Sequence, residues 1–228
     1  MLSLPAGFSL AQFRRVSPIN AENVFSLTFD RHARYMAVNR AASVGENLSR
    51  IFEATFKLSN TKGFAMMTLR DLSRETGLSM GGLYGYISSK DDLAATIEDV
   101  LRHVTSQLSD WFRTEEDPRT RVDHLLRGHV FLSEILHPWF YFVFMESWHL
   151  ARTARTVARS SELAFQAELL RGIQEAGCAS EQEAKLLASH FLALAQDWHV
   201  KRWKYRHMEV TPDAFADSIS ALVARAIG

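Results

Sequence analysis

Residues 76–92 read TGLSMGGLYGYISSKDD and hold four of the chain's 11 glycines, Gly77, Gly81, Gly82 and Gly85, within nine positions. Helix-patterned sequence lies on both sides. Upstream, Leu48, Ile51, Phe52, Thr55, Phe56 and Leu58 keep an i, i+3, i+4 rhythm from about Glu46, and Gly63 can end that helix in a left-handed conformation. Thr68 stands three residues before Asp71, a capping-box spacing, and the short helix it opens stops at Gly77. Ser79 can cap a third helix reaching about Tyr86. Ser88 or Ser89 can cap a fourth, with Asp91 and Asp92 in its first turn, that continues to Trp111.

Two short helices joined by TGLS make a helix-turn-helix, whose second helix enters a major groove with its N-terminal part against the bases. The glycines then have a purpose. Each one inside a helix costs about 1 kcal/mol relative to alanine, yet without side chains Gly81 and Gly82 let their backbone approach bases or phosphates closely. Gly77 supplies the positive φ of the turn. Helix starts after Thr68, Ser79 and Ser89 offer N–H groups to phosphate oxygens. Tyr84 and Tyr86 add hydroxyls and Lys90 a cation, groups that position the protein rather than specify sequence. Base reading falls to Ser79, Met80 and the Gly81–Gly82 backbone. A nucleotide cradle fits less well, because no G-x-G-x-x-G follows a strand and no G-K-S/T is present. GLYG has the letters of a KH loop without the surrounding strands.

The stretch TLRDLSRETGLSMGGLYGYISSKDDL resembles the DNA-binding signature of the TetR family of bacterial transcriptional regulators: a Thr-capped helix, a Gly-x-Ser turn, a Leu-Tyr core and Ser-Lys-Asp-x-Leu opening the next helix. The resemblance spans about Glu46 to Leu93; the remainder matches in helix number and length. It implies DNA or phosphate contacts for Thr68, Ser79, Tyr84, Tyr86 and Lys90. This chain departs from the pattern in lacking the usual aromatic ring at Ile87, in carrying Tyr86 where histidine is common, and in the length of sequence before the first motif helix. One helix-turn-helix reads only a few base pairs, so a homodimer on a palindromic double-stranded operator is the simplest arrangement, and the resemblance favours it. The resemblance also implies a small-molecule effector held by the C-terminal helices. The polar groups interrupting the longest apolar run, Phe131 to Leu150, fit a soluble cytoplasmic protein.

Composition sets limits on partners. The 228 residues are 47% hydrophobic, enough for one large core or two smaller ones. Lys and Arg (26) balance Asp and Glu (26), so no overall field draws the protein to a polyanion, and DNA binding has to be local. Around the motif Arg50, Lys57, Lys62, Arg70, Arg74, Lys90 and Arg102 meet at least as many carboxylates, which predicts few ionic phosphate contacts and a modest salt dependence. Cys178 is the only cysteine, which rules out an internal disulfide and suits a reducing compartment. The N-terminus has its arginines after the apolar stretch, the reverse of a secretory signal.

Beyond Pro118, helices are expected over about 119–136, 139–149, 151–175, 181–206 and 212–227, the last with Thr211 and Pro212 at its N-cap and first position. No run alternates like a confident strand. Residues 1–45 leave open short strands, an irregular helix or an arm; their Arg14, Arg15, Arg31, Arg34 and Arg40 could reach a minor groove or remain solvated on a packed arm. The expected organisation is therefore all-α: an N-terminal extension (1–45), a three-helix DNA-binding domain with the helix-turn-helix (46–92), and a C-terminal helical ligand-binding and dimerisation domain (93–228). Leu186, Leu187, Phe191, Leu194 and Trp198, with Phe215, Ile219, Leu222 and Val223, are candidates for the dimer seam or for internal core.

HPWFYFVFMESWHL crowds aromatic side chains together. It suits either core or, as the resemblance implies, a pocket for an apolar or aromatic effector lined by Trp139, Phe140, Phe142, Phe144, Met145 and Trp148, with Trp198 and Arg202 from DWHVKRWKYRH. That last segment loosely resembles members that sense fatty-acyl thioesters. One enzymatic alternative exists: Glu134-x-x-His137 and Glu146-x-x-His149 repeat the unit of di-iron bundles, although Pro138 lies between them and two further glutamates are needed. No nucleophile–base–orienter set is visible, and no cofactor, catalytic residue or metal ligand is expected. The most economical function is a ligand-released repressor.

Overall fold

The local signals of the chain set its helix boundaries. The computed structural model describes residues 2, 4–37, 43–146, 152–177 and 180–227, and every regular element among them is helical. In order these are α1 (Leu10–Val16), α2 (Asn23–His32), a 3-10 turn (Ala33–Tyr35), α3 (Ser43–Lys62), α4 (Leu69–Thr76), α5 (Met80–Tyr84), α6 (Lys90–Trp111), α7 (Pro118–Ile135), α8 (His137–Glu146), α9 (Arg152–Glu175), α10 (Glu181–Val200), α11 (Arg202–His207) and α12 (Pro212–Ala226). The caps read from sequence recur. Gly63 has φ +80° after α3, and Thr211 accepts from Ala214 N at the start of α12, with Pro212 at its first position. Cys178, Arg40, Trp148 and His149 lie outside the described residues.

Two compact units emerge, and they cut across the expected boundaries. One, here called the head, comprises Ala21–Arg102 and Pro138–Ala158; the other, the body, comprises Met1–Asn20, His103–His137 and Arg159–Gly228. The regular elements described among the first 45 residues are thus helical, and they are divided between the two.

In the head, α2 lies on α3 through buried Val24, Thr28 and Phe29. Its Arg31 donates to Asp99 Oδ2 at 2.8 Å, and His32 Nε2 lies 3.0 Å from the same oxygen. The core is aromatic. Trp139 of α8 stacks on Phe52 at 4.9 Å and meets Phe56 edge-on at 5.5 Å, while Phe142 stands perpendicular to Phe64 at 5.2 Å. Rings of this size each bury a large apolar area and gain from such offset and edge geometries. Glu146 closes the cluster by accepting from Ser59 Oγ at 2.8 Å.

In the body, α7 packs against α10 and α12. The N-terminal segment completes this core: Phe8 and Phe13 are fully buried, with Phe8 5.8 Å from Phe112 and 5.7 Å from Phe131. Leu10 N donates to Asp213 Oδ1 at 2.7 Å, and Leu2 N to Trp111 O at 2.9 Å. The helix expected over 181–206 breaks at Lys201. There the Asp197 carboxylate takes Lys201 and Lys204, each at 2.8 Å, together with the Tyr205 hydroxyl. Trp198 stacks on Tyr205 at 5.4 Å. These contacts draw α11 back along α10, so the chain turns where periodicity alone continues.

Candidate nucleic-acid interface

The helix-turn-helix is wired by short-range hydrogen bonds. Thr68 and Asp71 form a reciprocal capping box, Thr68 Oγ1 accepting from Asp71 N at 3.1 Å and Asp71 Oδ2 accepting from Thr68 N at 3.0 Å. Lys62 adds an ion pair at 2.7 Å, and its hydrogen bond, with those from Thr68, holds the Asp71 carboxyl well below the usual range. At the turn Gly77 has φ +70°. Thr76 Oγ1 accepts from Leu78 N at 3.2 Å, Ser73 Oγ donates to Leu78 O at 2.6 Å, and the Arg50 guanidinium donates to Thr76 O. The turn between α4 and α5 is therefore held by the backbone, by the Ser73 and Thr76 hydroxyls and by one arginine from α3.

Ser79 caps α5, its Oγ accepting from Gly82 N at 3.1 Å. Leu83 is buried and anchors the helix, while Ser79, Gly81 and Tyr84 are exposed and Met80 and Gly82 half-buried. A Cβ placed on Gly81 would come no closer than 4.0 Å to Ser79 Oγ, so nothing within the protein requires glycine there. At Gly82 the same oxygen would lie at 3.3 Å. Thr68 is exposed as well.

Two expected contact residues face inward. Tyr86 is buried, and its hydroxyl accepts from Asn47 Nδ2 at 2.9 Å. Lys90 Nζ donates to Phe64 O at 3.0 Å and Ala65 O at 2.8 Å and sits 5.0 Å from the centre of the Phe64 ring. Both brace the head. Asn47, Arg50 and the Phe64 ring carry these braces; their spacing from the motif, 26 to 39 residues along the chain, leaves no short-range signal in the sequence.

The residues expected around an effector belong to both units. Trp139, Phe140 and Phe142 are buried, with Trp139 and Phe142 in the aromatic core of the head; Phe144 and Met145 are exposed. In the body, Trp198 is buried and donates from Nε1 to Glu134 Oε2 at 3.1 Å, and Arg202 pairs with Glu134 Oε1. A body groove of about 390 Å³ runs past Gly7, Arg119, Asp123, Arg127 and Ile227 and is lined by none of these. The di-iron alternative meets engaged carboxylates: Glu134 holds Trp198 and Arg202, and Glu146 holds Ser59. His137 Nε2 lies 3.1 Å from His199 O. Among the described residues no group of three or more His, Cys, Asp or Glu could hold a metal ion, and no helix is long and apolar enough to cross a membrane.

Residues 51–97 match the model of the bacterial regulatory proteins of the tetR family. The fold is shared with the TetR family transcriptional regulator PfmR from Thermus thermophilus, at TM-score 0.61 and 20% identity over 78% of this chain and 94% of that one. It is shared with the fatty acid degradation regulator FadR from Bacillus halodurans, at TM-score 0.59 and 12% identity over 82% and 96%. A chain described as superantigen pfit has it too, at TM-score 0.60 and 15% identity over 87% and 98%, so this likeness speaks for architecture alone. No curated protein matches by sequence. Its capped helix-turn-helix and the match at 51–97 show a DNA-binding domain similar to that of the bacterial regulatory proteins of the tetR family.

Proposed function

We propose that the protein is a cytoplasmic, homodimeric, sequence-specific repressor released from a palindromic operator by a small apolar or aromatic effector. The observation that carries the DNA reading is the start of α5, where Ser79 and Gly81 are exposed and two glycines carry no side chain, together with the exposed cap of α4. In this reading Ser79, Met80 and the Gly81–Gly82 backbone meet base edges, while Thr68 and Tyr84 take phosphates. Tyr86 and Lys90 support that surface through Asn47 and the 64–65 carbonyls. Leu186 and Leu194 of α10 and Leu222 of α12 are exposed apolar groups suited to a two-fold seam. The fatty-acid regulator that shares the fold supports an acyl-chain effector as the first class to screen. Release needs differential affinity: the effector favours a state in which the two reading helices no longer fit adjacent grooves.

The test is selection of bound duplexes from random DNA, followed by titration of the selected duplex with variants. Tyr84→Phe is expected to weaken all sequences alike, and Met80→Ala to change preference between them. The opposite pattern would reverse the assigned roles. Fatty-acyl thioesters and aromatic acids are then screened for release of the bound duplex.

A further inference from the structure

We infer that Arg34, presented by the 3-10 turn that follows α2, is a second DNA-contacting element that grips a backbone phosphate flanking the half-site read by α5. The inference rests on the DNA-binding reading above. Ala37 N donates to Gly85 O at 2.9 Å, which ties the N-terminal segment to the residue that ends α5, next to exposed Tyr84. The turn itself is closed by Met36 N on Ala33 O at 3.1 Å. From Ala37 back to Arg34 is three residues, at most about 10 Å of chain. A major groove is about 12 Å wide, so the phosphates at its edge lie within the range open to a group that close to a helix inside it.

The chemistry of the turn fits a phosphate. Tyr35 is 66% exposed, and the Arg34 guanidinium lies over its ring, 4.6 Å from the centre. Stacking fixes the plane of the guanidinium and leaves its N–H edge open, the geometry that binds phosphate in a bidentate fashion. Several other cations of the head are engaged within it: Lys90 with two carbonyls, Arg50 with Thr76 O, Lys57 with Glu75, Lys62 with Asp71 and Arg31 with Asp99, while Arg70 and Arg74 are exposed on α4. Arg34 is exposed and forms no ion pair among the described residues. Arg34 thus adds a backbone contact beside the motif, from a part of the head that lies before the helix-turn-helix in sequence.

The test is fluorescence anisotropy of the full chain on two duplexes, the one enriched by selection and a scrambled duplex of the same length, over a salt series. Arg34→Ala is expected to weaken both about tenfold, equivalent to ~1.4 kcal/mol, and to lower the slope of log K against log salt by about 0.9 for each bound subunit. Arg34→Lys should keep the slope. An unchanged slope in Arg34→Ala, or a loss confined to duplexes with A·T pairs beside the half-site, would overturn the phosphate assignment. Tyr84→Phe separates the two readings. If it weakens binding while Arg34→Ala does not, only this inference fails; if the wild type binds neither duplex, the DNA reading fails with it.

Discussion

Glu98 sits on α6, only 5% exposed, and its Oε1 has no hydrogen-bond partner among the described residues. Burial lifts its pKa from the usual 4.5 to about 7; Arg102 opposes the rise and Asp99 adds to it. Between those two values the folded protein keeps a proton that the unfolded chain has released. Stability therefore falls as pH climbs through that window and levels off above it. At ~1.4 kcal/mol per pH unit the whole interval is worth at most ~3.4 kcal/mol, and solvent relaxation around the carboxylate brings this to roughly 1–3 kcal/mol. Glu98→Gln stays neutral throughout. The variant should gain roughly 1–3 kcal/mol over the wild type between about pH 5 and about pH 8, and taking the difference cancels every other titrating group. Urea unfolding followed by far-ultraviolet circular dichroism at several pH values measures it. A difference that stays flat across the window would refute the argument from burial.

Three further predictions address how the head and body are held. Gly77→Ala puts a Cβ at φ +70° and 3.3 Å from the Arg50 guanidinium, so it should cost about 1–2 kcal/mol and weaken DNA binding through the turn, read as a lowered Tm and a higher Kd. Lys90→Ala removes the donor on Ala65 O and one of two on Phe64 O, which keeps Met67 N, and should lower stability by about 1 kcal/mol; a loss of DNA affinity with stability unchanged would restore it as a direct contact. Phe8→Ala empties a fully buried ring site and should destabilise the protein by about 3–5 kcal/mol, measured by urea midpoint, whereas an arm lying loosely on the surface would lose almost nothing.

Much of the head was legible because its signals are local. Thr68 with Asp71, Gly77, and Ser79 with Gly82 each act within a few residues, and each is seen in the hydrogen bonds of α4 and α5. Long amphipathic helices such as α3 and α6 were legible from periodicity, with α3 beginning at Ser43 rather than Glu46. The first 45 residues were not. α1 and α2 have 7 and 10 residues, too short for a periodic pattern to decide, and α1 is held by partners such as Asp213 that lie 203 positions away. Nor could composition decide where the aromatic run goes: Trp139 is core because Phe52 and Phe56 come to meet it. The same distance effect hid the inward turn of Tyr86 and Lys90, whose partners are in α3 and the loop that follows it.

The central claim is that α5 keeps glycine at Gly81 for a partner outside the protein, and Gly81→Ala tests it most directly. Within the chain the new Cβ meets nothing nearer than 4.0 Å, and alanine favours the helix by about 1 kcal/mol, so thermal unfolding should shift upward. Affinity for the selected duplex should fall at least about tenfold as the methyl intrudes on the close backbone approach. A variant that is more stable and still binds that duplex as tightly as the wild type would contradict the account.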